Sequence, residues 1–400
     1  MTKSRTDIIL VGGGLTAKCA ALMLSFSGYS FRWTTPHQTK SPRDSRTTTI
    51  HDAGMKMLSA LGVWSQIAGT PCPIHKIAVG HGAPPERRGP KDWPLCWDSD
   101  MPAMAHVVQN FLLSDALDSV YYGPAPLETE IIRFDRNRDV TTLTGDNGQT
   151  YDCSLTIASD GASSKLRTLA GLKSVPLPVK QTAIVSVVST ERPLRQTAYQ
   201  RFLTGGPLAI MPTGDYEGSL VWSLPDHVAQ NLSHQKSEKV SAYLNSQFGP
   251  TLGRLTICDE LLLWPLQPAF VPAITSPGLI VAGDAAHALH PLAGMGFNLA
   301  LADIAELADG LGAAQRRGLQ PSHLSVQKHY SIQRRTEISA LTALTQSLNW
   351  LFSPASGPLV EIAGLGFSVL DAVPLKNKLK QIAMGGQLSK PALFRGQMPF

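Results

Sequence analysis

Cysteine is scarce in this chain. The five present (Cys19, Cys72, Cys96, Cys153, Cys258) are odd in number and form no CxxC pair. That excludes a disulfide framework and a cysteine-based zinc site, and leaves them as small apolar fillers. No metal site is expected. Charge is thin as well, at 16% of residues, and a formal net charge of +5 is modest for 400 residues, so no nucleic-acid partner is expected. Long apolar runs are missing. The longest candidate, residues 338–360, is interrupted by Gln346, Asn349, Pro354, Gly357 and Pro358, which suits a packed helix and turn better than the ~20 continuous apolar residues of a membrane span. A secretory signal is absent too, because the apolar stretch from Ile8 to Val11 runs straight into glycines. A cytoplasmic location is expected. The little charge there is lies unevenly: residues 371–400 hold Lys376, Lys378, Lys380, Lys390 and Arg395 against Asp371 alone. Such a basic tail suits either a solvated terminus or contact with anionic lipid or an acidic partner.

What is present points to a globular chain of more than one core, since 43% of its residues are hydrophobic and 400 residues exceed one ordinary domain. The stretch "DIILVGGGLTAKCAALMLSFSG" reads as a buried strand from Ile8 to Val11, a glycine turn and a helix. Leu15, Cys19, Leu22, Met23 and Phe26 share one helical face, and Gly28 is a plausible stop. "YSFRWTT" supplies a second strand and completes a βαβ unit. From Thr129 the pattern turns to short alternating strands, with Asn147-Gly148 placed as a hairpin turn. Strand-like runs begin at Ala183, Tyr199, Leu208 and Ser219, and their turn-bounded spacing predicts an antiparallel sheet inserted into the first unit. "GLIVAGD" (278–284) returns to a continuous apolar strand of the parallel type. Beyond Tyr330 the pattern is mainly helical.

Gly12-Gly13-Gly14-Leu15-Thr16-Ala17 has the dinucleotide-binding form GxGxxG/A, in the strand-turn-helix context that gives the motif its meaning. The first glycine permits the tight turn, the next lets a pyrophosphate approach the backbone, and Ala17 is small enough for helix and strand to pack. One part is missing. The second strand of such a unit usually ends in an acid that holds the adenosine ribose, and here Thr34 and Thr35 stand at that point. Lys18, in the first helical turn, opposes the helix dipole and is also placed to attract a phosphate.

Three separated motifs occur in order: the glycine turn at Gly12, "SDGASSKLR" (159–167) and "GDAAHALHPLAGMGFN" (283–298). Together they resemble the class A FAD-dependent aromatic hydroxylases. With "DSRTTTIHDAGMKMLSALGVW" (44–64), "HVVQNFLLSDAL" (106–117), "RFLTGGPLAIMP" (201–212) and "SLVWS", the chain is similar to ubiquinone-biosynthesis hydroxylases of the 2-octaprenyl-6-methoxyphenol hydroxylase type. The likeness extends over nearly the whole chain and is weakest around 84–100 and in the last ten residues. The implied fold is α/β and p-hydroxybenzoate-hydroxylase-like. It has an FAD-binding Rossmann-type domain (1–70, 104–175 and 274–330), an interleaved antiparallel-sheet substrate domain (71–103 and 176–273) and a C-terminal helical region (331–400).

The resemblance also implies a site. Gly12, Gly13, Gly14 and Ala17 would lie against the FAD pyrophosphate, and Arg46 would approach the cofactor phosphates. Asn110 falls where the family has a polar side chain reaching the cofactor, although a helix-capping role suits it equally. Asp160 and Gly161 match an Asp-Gly motif associated with FAD and the nicotinamide donor, though a plain turn also uses that pair. Asp284 matches the acid beside the ribityl chain. Pro291, Gly294, Gly296, Phe297 and Asn298 would form the turn and helix start at the flavin edge, where backbone amides and a positive dipole end offset the negative charge of reduced flavin. Phe297, Leu301, Ile304, Ala308 and Leu311 are expected to form the buried stripe of that helix, with Asp303, Glu306 and Asp309 elsewhere on it. His287 and His290 are read as structural hydrogen-bonding groups, and Met295 stands where the family usually has Gln.

The implied reaction is hydroxylation of an electron-rich ring through a flavin hydroperoxide, with NAD(P)H as transient donor and O2 as oxidant. No protein acid or base stands out. The implied substrate is a polyprenylated phenol reached from the membrane surface, with partners in a ubiquinone-biosynthesis complex and peripheral contact at the inner face of the membrane. Phe202, Leu208, Met211 and Trp222 are candidates to line its pocket, or else to be core. The alternatives are another aromatic substrate on the same fold and a non-catalytic flavin-fold subunit of a biosynthetic complex.

Overall fold

The computed structural model describes residues 5–37, 43–82, 93–99, 102–290, 294–352 and 390–400. The chain opens with β1 (Thr6–Val11), whose IILV core is buried on both faces, as a central parallel strand requires. A glycine turn leads into α1 (Leu15–Ser25) and then β2 (Phe31–Thr35), which pairs with β1 in parallel. β3 (Thr47–His51) pairs antiparallel with β4 (Ala105–Gln109), which runs straight into α2 (Asn110–Val120). The short β5 (Leu127–Glu128) adds to β2, and β6 (Thr150–Ala158) lies on the other side of β1, parallel to it. The hairpin before β6 turns at Asn147-Gly148, where Gly148 takes a φ of +75°.

An antiparallel sheet follows, built on β7 (Gln181–Thr190), β8 (Thr197–Leu203), β9 (Gly206–Pro212) and β10 (Glu217–Pro225), with β11 (Leu262–Pro265) paired to β7. The chain then returns to the first sheet through β12 (Leu279–Val281), parallel to β6. Strand order through the parallel part is therefore β12-β6-β1-β2-β5, and the second sheet has its own core around Trp222, Leu208, Ile210 and Phe248. Helices α3 (Met295–Arg316) and α4 (Leu324–Phe352) close the molecule. Among the described residues, no helix is long and apolar enough to cross a membrane.

Two helix expectations need correction. α1 is buried nearly all round, from Ala17 to Leu24, and Phe26 lies beyond its end, partly exposed and edge-on to Tyr122. α3 is likewise buried almost throughout, so Asp303 and Glu306, expected off the apolar stripe, are both inside. The reason is position. α3 packs against α1, the helix Asp52–Ala60, α4 and β3 at once, leaving no solvent face for a one-sided helix to present. Among the cysteines, Cys19 and Cys153 are buried fillers, but Cys258 is exposed. Pro291 and the tail lysines Lys376, Lys378 and Lys380 lie outside the described residues.

Candidate active site

The turn after β1 is shaped by what sits across from it. Gly12 has a φ of +140°, and a Cβ there would stand 2.3 Å from the Ser159 carbonyl oxygen at the end of β6. Gly14 is different. A Cβ on it would meet nothing within 4 Å, because that side opens into a cleft. Ala17, fully buried, packs α1 onto the sheet. No side chain caps the start of α1 and no acid lies in its first turn, so its free amides and positive dipole end face the cleft without competition.

The cleft has a volume of about 790 Å³ and runs from this turn to the start of α3, within the range of roughly 300–1,000 Å³ common for cofactor and ligand pockets. Gly12, Gly13, Gly14, Arg46, Asn110, Asp160, Gly161, Asp284, Gly294, Gly296 and Phe297 all line it. Residues some 280 positions apart in sequence thus share one cavity. Ala17 stands behind the lining. Asn298 is tied to β3 instead: its Nδ2 donates to the Thr49 carbonyl at 2.6 Å and its Oδ1 accepts from the His51 amide at 3.2 Å.

At the far end, α3 starts from Gly294 in a left-handed conformation (φ +62°), packed so closely on Thr49 that a Cβ would stand 2.9 Å from its Oγ1. Gly296 faces open space, and no side chain caps this helix either. Asp284 sits at the mouth of the cleft, open to it yet hemmed in by protein. Loss of hydration raises its pKa, against the pull of nearby His287.

The junction before α3 is fixed by a buried network that sequence reasoning missed. Asp303 Oδ2 accepts from the Gly283 amide at 2.8 Å and pairs with His287 Nε2 at 2.5 Å, while its Oδ1 accepts from Arg334 Nε at 2.7 Å. Burial alone would raise the Asp303 pKa, but His287 and Arg334 more than offset it, and the net shift is downward. His287 is therefore structural, as expected. Arg334 carried no local signal for this contact, because Asp303 lies 31 residues away on another helix. Arg167 also holds the site, donating to the Ala285 and Ala162 carbonyls at 2.8 and 3.0 Å; its only sequence cue was its place in the "SDGASSKLR" motif.

Other side chains have more specific surroundings than the sequence suggested. Arg46 is gripped by the Asp44 carboxylate at 2.8 and 3.0 Å, and its guanidinium lies 4.9 Å over the Trp264 ring of β11, tying the segment before β3 to the second sheet. Asp160 accepts from Ser164 Oγ at 2.5 Å and from the Leu166 amide at 3.1 Å, so its carboxylate organises the turn after β6. Lys18 reaches no cleft. It is paired with Asp118 and donates to Ser114 Oγ at 2.7 Å on α2. From the second sheet, Ala209, Met211 and Val221 line the cavity. Leu208 and Trp222 belong to the opposite core and Phe202 is buried, because alternate residues of a strand point to opposite faces.

The lining fits FAD on three grounds. Two helix starts without side-chain caps suit a pyrophosphate and an electron-rich ring. The open sides of Gly14 and Gly296 leave room for both. Asn110 begins α2 without capping it, and its Oδ1 is buried with no partner, an acceptor that suits a sugar-alcohol hydroxyl. Thr35 Oγ1, also in the lining, is a second buried atom without a partner. Among the described residues no cluster of His, Cys, Asp or Glu could hold a metal ion.

Comparison with known proteins agrees. A family model described as an FAD binding domain matches residues 5–344. Over 397 residues the chain is 31% identical to the ubiquinone hydroxylase UbiL of Rhodospirillum rubrum, covering 95% of this chain and 89% of that one. It is 27% identical to the 3-demethoxyubiquinol 3-hydroxylase of Escherichia coli, covering 96% of this chain and all of the relative. The crystal structure of p-nitrophenol 4-monooxygenase PnpA from Pseudomonas putida shares the fold, with a TM-score of 0.74 at 18% identity over 96% of this chain and 97% of that one. Fold and site thus define an FAD-dependent monooxygenase. Within that class, the chain belongs to the ubiquinone-biosynthesis hydroxylase family.

Proposed function

We propose that this enzyme hydroxylates the ring of a polyprenylated phenol on the route to ubiquinone, with NAD(P)H as electron donor and O2 as oxidant. The observation that carries the reading is a single cleft that joins the glycine turn and the α3 start to the apolar Ala209, Met211 and Val221 face of the second sheet. A polar trough for a cofactor thereby opens directly onto a greasy wall for a substrate. FAD, when bound, supplies the redox chemistry. The protein supplies position and field. In this reading Gly12, Gly13, Gly14 and the α1 start hold the pyrophosphate, with Ala17 keeping that helix close; Arg46, Asn110, Asp160, Gly161 and Asp284 hold the rest of the cofactor chain. Gly294, Gly296, Phe297 and the α3 amides stabilise negative charge at the ring edge, with Asn298 tying the helix start to β3.

The division of labour follows the sheets, with residues 1–70, 104–175 and 274–330 serving the cofactor and 71–103 and 176–273 the substrate. A prenylated substrate lives in the bilayer, so we also propose reversible contact of the chain with the inner membrane face, alongside other enzymes of the route. Metabolite analysis of a strain lacking this chain tests the reading. A prenylphenol short of one oxygen should accumulate, and an unchanged quinone profile would refute it. In the same strain, complemented with a tagged chain, salt-sensitive flotation with anionic liposomes checks the membrane contact.

A further inference from the structure

His290 lines the same cleft as the apolar wall of the second sheet, with only 2% of its surface exposed. Its tautomer is fixed by a relay of polar groups. Gln181 Nε2, at the start of β7, donates to the Gly205 carbonyl at 2.6 Å. The Gln181 Oε1 is therefore the atom left for His290, and it lies 3.0 Å from Nε2. An amide oxygen only accepts, so the proton must sit on Nε2. Nδ1 is left with a bare lone pair, buried and without a protein partner. Burial also pushes the pKa of the ring down to about 4, which keeps it neutral at physiological pH. A neutral imidazole with one nitrogen spoken for is a fixed hydrogen-bond acceptor.

His290 shares that cleft with Ala209, Met211 and Val221, which have no side-chain polar group. Resting on the phenol-hydroxylase reading, we propose that His290 Nδ1 accepts the hydrogen bond of the substrate's phenolic hydroxyl, held in the accepting tautomer by Gln181 and the Gly205 carbonyl. Two consequences follow from that contact. It orients the ring by its one polar handle, and it draws the O–H proton away from oxygen, which enriches the ring carbons that an electrophilic oxygen attacks. It also sets specificity, because a methyl ether of the same ring leaves a buried acceptor unpaired.

The test compares binding of 2-prenylphenol and its methyl ether to the purified FAD-loaded protein, read as perturbation of the flavin absorbance. The wild-type chain should prefer the phenol by about ten- to a hundredfold, or roughly 1.4–2.8 kcal/mol at 1.4 kcal/mol per decade. His290→Leu should bind the phenol only as well as the ether, with FAD content unchanged. If that variant loses FAD through misfolding, Gln181 provides the second arm. Gln181→Leu releases the tautomer and should lose several-fold of the preference. Equal binding of phenol and ether by the wild type, or a preference that survives in His290→Leu, overturns the proposal and leaves the hydroxylase reading standing. If neither ligand binds and aromatic acids bind instead, the phenol reading fails and this proposal with it.

Discussion

Threonine 35 shows what one residue can decide. It ends β2 where an acid would grip the adenosine ribose, and of the Thr34-Thr35 pair only Thr35 lines the cleft; Thr34 turns its hydroxyl toward the Leu10 carbonyl. With its own hydroxyl unpartnered, Thr35 contributes no charge to cofactor retention. A charge-assisted hydrogen bond is worth roughly 1.5–3 kcal/mol, or about ten- to a hundredfold in affinity. Desolvating a new carboxylate takes back part of that gain. Thr35→Asp should therefore tighten FAD binding about tenfold, measured by fluorescence titration of the apoprotein; equal or weaker binding would contradict the assignment. The absence of the acid was legible in the sequence. Which threonine faces the cleft was not, since that depends on the register of β2 against β1.

At the scale of an element, α3 does more than present its first turn to the cleft. Its middle carries Asp303, which reaches back to the Gly283 amide and His287 and across to Arg334 on α4. The strand-to-helix junction is thereby locked by a buried carboxylate two turns further along the helix. Removing that charge leaves Arg334, fully buried, with Glu337 as its remaining ionic partner. Losing one member of a buried ionic network typically costs about 3–5 kcal/mol. Asp303→Asn should lower unfolding free energy by an amount of that order in denaturant titrations and loosen FAD as the junction shifts. A loss below about 1 kcal/mol would mean that the network is ornamental. The sequence revealed a helix here, but its spacing suggested a wet side for Asp303. The network became visible only once α4 was packed alongside.

At the scale of the whole molecule, burial leaves a signature in the pH dependence of stability. His51, which accepts from the Gly54 amide at the start of the helix Asp52–Ala60, and His290 are both pushed by burial from an ordinary 6.5 to about 4. Between these values the unfolded chain binds more protons than the folded one. Stability should therefore fall as pH drops from about 6.5 to about 4, by up to about 3 kcal/mol for each histidine. Asp303, with its lowered pKa, adds a loss at still lower pH. Asp284 and Asp309, raised by burial, oppose it only within the carboxylate range. Denaturant midpoints at pH 7, 5.5 and 4.5 check the window, and a flat profile would contradict the burial of the two imidazoles as neutral groups.

The sequence by itself determined the class of the molecule. The glycine turn, the Asp-Gly turn and the segment before α3 are local devices, in which a tight backbone or an uncapped helix start constrains residue type within a few positions. Their order along the chain was enough to name the family. Only the tertiary structure decided which groups meet. It showed that Lys18 serves α2 and not a phosphate, that Arg46 leans on Trp264, that Met211 faces the cleft while Trp222 does not, and that His290 is left with a free acceptor. Those outcomes turn on strand register and on pairings between residues tens to hundreds of positions apart, and no local pattern encodes a distance of that kind.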